Sequence, residues 1–364
     1  MQHLLDLTLE EFRDACVAND RRPYVAEQVL DWIHRKGTTE FDAMTNVSKS
    51  DREWLKAAFV IFRSRIDRAQ VAGDGTLKIL LGWDPPEEHS EDHSLPQAGQ
   101  SPPLQQTETV MIPAAKRRTA CVSSQVGCPV GCRFCASGLG GLEGNLTAGQ
   151  IVEQVLRLSE EEGVGRITNV VFMGMGEPLA NDKAVMKAIR ILNADWGPAI
   201  GARHITVSTV GLPKAIRRFA RFDLPVTLAL SLHAPNDQLR RLLIPWAEYS
   251  TIDELTSACQ AWFLASGREI TLEYLLLREV NDRTEHARQL AKIASTLRAR
   301  INLIRYNEVK GLPYQRPSTV DVREFQRILR RHGVNATIRA SRGRDIAAAC
   351  GQLRHEARKQ QTES

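Results

Sequence analysis

Apolar and polar residues alternate in TLKILLG (76–82) and again in TETVMIP (107–113), a period-2 pattern that predicts the two strands of a β-hairpin. Ahead of them the period changes. YVAEQVLDWIHRKG carries apolar side chains at helical spacing up to Gly37, and Thr8 stands where it caps a helix running through Glu10, Glu11 and Phe12. Residues 1–65 are therefore predicted to form a small helical unit. The stretch 84–106, DPPEEHSEDHSLPQAGQSPPLQQ, holds Pro, Ser, Gln and acids with too few apolar residues for a core. It is expected to be a mobile loop inside a hairpin extension spanning 66–118.

From about residue 119 the pattern becomes strand, loop, helix, repeated. Strand-like runs are TACVSS (119–124), ITNVVFMG (167–174), HITVST (204–209), PVTLALSL (225–232), EITLEYLLL (269–277) and INLIRYN (301–307), with a further ATIRAS (336–341). Amphipathic segments separate them, among them TAGQIVEQVLRLSEEEG opening at Thr147 and TVDVREFQRILRRHG. Apolar strands alternating with helices predict parallel βαβ units, and six of them make a partial barrel over 119–350, followed by a 351–364 tail. In such sheets chemistry gathers at the C-terminal ends of the strands.

Composition narrows the class. Hydrophobic residues at 43% and charged residues at 25% describe a globular chain and exclude a fibrous or disordered one. No stretch reads as a membrane span, and the acidic MQHLLDLTLEEFRDAC does not read as a secretory signal, so a cytoplasmic protein is expected. The formal net charge of +5 and the clusters Arg217–Arg218, Arg240–Arg241 and Arg327–His332 permit an anionic partner; solvated helix faces produce such clusters as well.

Of the seven cysteines, three crowd into Gly127-Cys128-Pro-Val-Gly131-Cys132-Arg-Phe134-Cys135, after the first barrel strand. The C-x3-C-x2-C spacing lets one loop turn three thiolates toward a common centre, with the glycines giving the backbone room. Three ligands on a [4Fe–4S] cluster leave one iron open to a substrate or cofactor. A zinc site with Cys121 as fourth ligand, or inert buried thiols, are the other readings; zinc sites more often show two C-x2-C pairs. Further polar residues stand at strand ends: Gly176-Glu177-Pro178, Ser208, Ser231-Leu232-His233 and Asn307. They suit the amino, carboxylate and ribose groups of a ligand, and each alone also fits a capping or internally satisfied role. Cys16 and Cys259, on helical segments without a motif, read as buried core residues.

The cysteine loop resembles the radical S-adenosylmethionine (SAM) superfamily, whose hallmark is C-x3-C-x2-C with an aromatic before the last cysteine, here Phe134. TACVSSQVGC, SLHAPNDQLRRLLIP, LEYLLLREVND and SRGRDIAAACGQL further resemble the RlmN/Cfr branch of adenosine methyltransferases. The likeness covers nearly the whole chain except 84–106, which looks like an insertion. The resemblance implies an α/β fold, a partial (β/α)6 radical SAM barrel with a small N-terminal helical domain. It implies a [4Fe–4S] cluster on Cys128, Cys132 and Cys135, with SAM, two per turnover, held by Gly176, Glu177, Ser208, Ser231, Leu232, His233 and Asn307. Cys350 would carry a methyl group and bond covalently to the base, Cys121 would resolve that adduct through a disulfide with Cys350, and Glu108 would serve as the base. The implied reaction is methylation at C2 of an adenosine in 23S rRNA, with tRNA as a second substrate; Cfr-like C8 methylation is the neighbouring activity. An electron-donating protein such as flavodoxin, a monomeric state and RNA contact through the N-terminal unit and the basic helices, including Arg240 and Arg241, complete the expectation.

Overall fold

The computed structural model describes residues 1–83 and 105–353. The expected mobile loop, except for its last two residues, and the tail beyond residue 353 lie outside the described residues. A short parallel pair, β1 (Gln2–His3) and β2 (Phe59–Val60), brackets the helices α1 (Leu9–Ala18), α2 (Tyr24–His34) and α3 (Lys49–Ala58). As its sequence predicts, Thr8 caps α1 in a reciprocal box: its hydroxyl accepts from Glu11 N–H at 3.2 Å, and the Glu11 carboxylate accepts from Thr8 N–H at 2.7 Å.

One ten-stranded sheet organises the rest. It opens with β3 (Ser64–Val71), β4 (Leu77–Trp83) and β5 (Gln105–Ala114), all antiparallel, and passes through β6 (Arg117–Cys121) into a parallel set. A side pair, β7 (Gln125–Gly127) with β8 (Leu142–Asn145), brackets the cysteine loop. There follow α4 (Ala148–Glu160), β9 (Asn169–Phe172), α5 (Asp182–Asn193), β10 (Ile205–Thr209), α6 (Pro213–Phe219), β11 (Thr227–Ser231), α7 (Asp237–Leu243), α8 (Ile252–Ser266), β12 (Ile270–Leu276), α9 (Thr284–Ser295), β13 (Ala299–Arg305), α10 (Thr319–Arg331) and β14 (Ala336–Arg339). Strands β6 and β9 to β14 pair in chain order, each parallel to the last, with a helical crossover between successive members. This is the expected partial barrel: six βα units completed by β14.

Amphipathic helices close the outside of the sheet. In α4, Ile151, Val152, Val155 and Leu158 form one buried stripe. Buried on both faces, β12 is apolar almost throughout, which makes its single acid, Glu273, conspicuous. The helical unit and the barrel share one core, in which Leu4, Leu5 and Phe12 belong to the same cluster as Ile151 and Val155. Gly149 allows that docking: a Cβ there would stand 2.6 Å from His3 Nδ1, while its N–H donates to Asp6 at 2.6 Å.

Among the described residues no hydrogen-bonded partner closes the sheet beyond β14. Residues 340–353 instead form a strap back toward the antiparallel end. Gly343 N–H donates to Asp74 at 3.2 Å, and Gly73 N–H donates to Asp345 at 2.9 Å. Further on, Lys78 Nζ donates to Ala347 O at 3.4 Å and Ala136 N–H to Gly351 O at 2.8 Å. The strap thereby ties the first hairpin to the cysteine loop and carries Cys350 between them.

Candidate active site

The cysteine loop hangs from the β7–β8 pair, and Cys128 N–H donates to Gly141 O at 2.9 Å across its base. Gly127 has φ +74°, and a Cβ there would come within 2.0 Å of Gly141 O. No side chain fits. We therefore expect Gly127→Ala to lose most of its bound iron and to be destabilised by more than the roughly 1–3 kcal/mol that backbone strain alone costs. Gly141→Ala, with φ +71° but open space around its Cβ, should keep its iron; iron content and melting temperature of the pair decide the point.

Cys128, Cys132 and Cys135 are partly buried and face a cavity of about 160 Å³ at the C-terminal end of the parallel strands. Burial raises all three thiols above their ordinary range, Cys128 to about 12, and the neighbouring sulfurs add to the rise for Cys128 and Cys132. Among the described residues no three His, Cys, Asp or Glu side chains converge tightly enough for one metal ion. Cys121 lies apart, on a different cavity, so the alternative of a zinc ion on four cysteines lacks its fourth ligand. Thiols that each hold a different iron of a cubane are spaced more widely than ligands of a single ion, and a set of three soft donors facing one cavity fits such a cluster.

Gly176, Glu177, Ser208, Ser231, His233 and Cys350 line the same cavity. Gly176 takes φ +103° and packs against Gln125, where a Cβ would stand 2.7 Å from Gln125 Cβ. Glu177 is buried. Its carboxylate accepts from Leu179 N–H at 3.0 Å and Val210 N–H at 2.7 Å; burial still raises it above the usual carboxylate range. Two oxygens offer about four acceptor sites, so capacity remains for a ligand. The Ser208 and Ser231 hydroxyls meet at 3.1 Å. His233, in a left-handed conformation (φ +56°), accepts at Nδ1 from Leu275 N–H at 3.1 Å and stands edge-on to Phe134. Burial, with Arg240 nearby, pushes its imidazole down to about 3, so it is neutral.

Other expected residues lie elsewhere. Leu232, just past the end of β11, is in the hydrophobic core and not on the cavity wall that Ser231 and His233 line. Asn307 lines a second cavity of about 110 Å³, with its side-chain oxygen accepting from Arg316 at 2.8 Å. Cys121 and Cys350 also line it, which makes Cys350 the thiol shared by both cavities. Both are free thiols, and among the described residues no cysteines lie at disulfide distance, so the expected Cys121–Cys350 disulfide is not formed. One sits at the end of β6 and the other on the strap, and although they line one cavity their sulfurs stand beyond bonding distance. Burial first, then Cys350, pushes Cys121 up to about 12.

Glu108 is no solvated charge. It is buried in β5 and paired with Lys78 at 2.9 Å, and the same ammonium reaches the strap at Ala347. Arg240 is likewise not the surface cation its sequence suggests, being only 1% exposed, whereas Arg241 is exposed. Two residues emerge only from the structure. Arg339, at the end of β14, lines both cavities, donates to Met173 Sδ at 3.4 Å and is raised chiefly by Cys350. Glu273 projects into the main cavity; one oxygen accepts from Asn302 at 3.0 Å while Oε2 has no partner. An orphaned buried carboxylate oxygen beside three thiols fits a cationic, hydroxyl-bearing ligand such as SAM.

The chain is similar to known proteins over nearly its whole length. Residues 2–61 match the family model "Ribosomal RNA large subunit methyltransferase N-terminal domain", and residues 122–291 match "Radical SAM superfamily". A Synechococcus protein named "Probable dual-specificity RNA methyltransferase RlmN" is 46% identical over 96% of this chain and 95% of its own. The "Dual-specificity RNA methyltransferase RlmN" of Nitratiruptor is 40% identical over 98% of each chain. Among solved structures, a radical SAM methyltransferase from Sphaerobacter thermophilus superposes with a TM-score of 0.89 at 41% identity, covering 98% of this chain and all of that one.

Proposed function

Because the chain belongs to the RlmN family of radical SAM RNA methyltransferases, we propose that it methylates C2 of an adenosine in 23S rRNA, and of a tRNA adenosine, through a covalent adduct on Cys350. The superfamily uses a [4Fe–4S] cluster and SAM, which when bound supply a methyl group and a carbon-centred radical. An aromatic amidine carbon is electrophilic and does not attack a sulfonium methyl, so an ordinary methyl transfer to it has no polar route. The thiol of Cys350 does have one, and it takes the methyl first.

The observation that carries this reading is that Cys350 stands on the wall of both cavities, one holding the three cysteine thiols and the other Cys121. Cys128, Cys132 and Cys135 hold the cluster. Glu177, Glu273, Ser208, Ser231 and His233 orient the cofactor, and Asn307 and Arg339 act from the wall near Cys350. Cys121 releases the adduct. Glu108 takes the proton from the base carbon, its carboxylate fixed by Lys78, which the strap also holds. RNA phosphates bind the N-terminal helices and the exposed face of α10, where Arg323, Arg327 and Arg331 line a shallow cleft. The protein acts as a cytoplasmic monomer with a flavodoxin-type electron donor. Among the described residues no helix is long and apolar enough to cross a membrane.

Anaerobic incubation with 23S rRNA fragments, SAM and a reductant, followed by nucleoside mass analysis, should yield 2-methyladenosine. If 8-methyladenosine were the sole product, the C2 assignment would be wrong.

A further inference from the structure

Arg240 projects from α7 into the protein interior. Its Nη2 donates to Val210 O, and Val210 N–H in turn donates to Glu177 at 2.7 Å. Among the described residues its Nε and Nη1 have no hydrogen-bond partner and no carboxylate forms a salt bridge with it. Nothing exposed compensates, since the residue is 1% accessible. An unpaired buried cation is strongly unfavourable unless something anionic offsets it. The charged or ionisable groups acting on it are Cys132 and, more weakly, Asp237, while His233 on the cavity wall is neutral. Asp237 is already engaged as acceptor for Ile252 N–H at 2.8 Å. The helix is fixed against the cysteine loop: Arg133 N–H donates to Leu243 O at 3.0 Å, and Leu239, Leu243 and Cys132 belong to one apolar cluster.

We propose that Arg240 is the built-in counter-charge of the iron–sulfur site, a buried guanidinium on the helix packed against the cysteine loop that offsets the anionic cluster and makes it easier to reduce. The inference rests on the reading of Cys128, Cys132 and Cys135 as cluster ligands. Three thiolates around the iron–sulfur core leave the site net negative, and one electron from an external reductant makes it one charge more so. A fixed positive charge in a low-dielectric setting favours the reduced state. Burial pushes Arg240 down to about 10 and Cys132 works the other way, so it is a cation throughout the physiological range.

The test is a potentiometric titration of the anaerobically reconstituted full chain, read by electron paramagnetic resonance, for the wild type, Arg240→Gln and Arg240→Lys. At a fixed solution potential the Gln variant should show an about tenfold lower ratio of reduced to oxidised cluster, equivalent to a midpoint lower by about 59 mV for one electron. Arg240→Lys should recover most of the difference. A Gln variant with full cluster content and an unmoved midpoint overturns the proposal, and so does a changed salt dependence of RNA binding, which would return Arg240 to phosphate contact. Should the Gln variant assemble no cluster, the cluster-free proteins decide. Removal of an unpaired cation should then leave its melting temperature at or above that of cluster-free wild type, and a lower one would reveal a merely structural arginine. A wild-type protein that itself assembles no cluster refutes the ligand reading, a result separate from an unshifted midpoint.

Discussion

Replacing Cys350 with alanine should abolish RNA methylation, by on the order of 10⁴-fold or more, because the proposed route delivers the carbon fragment from that thiol. The cluster should survive. Cys350 lies on the strap, outside the C-x3-C-x2-C loop, so visible absorbance and iron content should match wild type. That combination separates a lost acceptor from a damaged metal site, which would lower both together. Cys350→Ser should do no better, since an alkoxide is not formed at neutral pH. Near wild-type yields of 2-methyladenosine from either variant would end the covalent route.

Cys121→Ala should have the opposite phenotype: the first half of the reaction proceeds and the RNA stays on the protein. One band of covalent RNA–protein adduct, approaching one per active enzyme, is expected on a denaturing gel. Multiple turnover should fall by about 10²-fold or more. Cys121 is the other thiol on the small cavity that Cys350 lines. It is buried and held protonated, with burial raising it to about 12, while Arg339 opposes that rise. Arg339 is thus the cation placed to favour its ionisation when the adduct forms. Free RNA and normal turnover in Cys121→Ala would remove this residue from the mechanism.

Much of this was readable from the chain. The largely buried runs of β11 and β12 fitted strands covered on both faces, and the cysteine spacing suited a loop that gathers its thiols. Strand β3 escaped because SRIDRAQV has no apolar alternation: it is an edge strand whose residues are mostly exposed. Arg240 was misread because paired arginines look like a solvated face. The spacing held the correction, since Arg240, Leu243 and Ile244 fall on one stripe, and all three are buried. Glu273 was the one acid in a strand of otherwise buried apolar and neutral residues, a signal open to reading. Arg339 had none. Its importance comes from where β14 ends relative to β6, which no local pattern encodes. Leu232 turns into the core just past the end of β11, while its neighbours Ser231 and His233 face the cavity.

The strap has a consequence for biogenesis. Its hydrogen bond from Gly73 to Asp345 joins positions 272 residues apart, among the most distant pairings in the molecule. The cysteine loop therefore emerges from the ribosome long before Cys350 and the strap that ties it down. A chain cut before the strap would keep all three loop cysteines yet lose Cys350 and the Ala136–Gly351 hydrogen bond that ties the loop down, and it should not modify RNA.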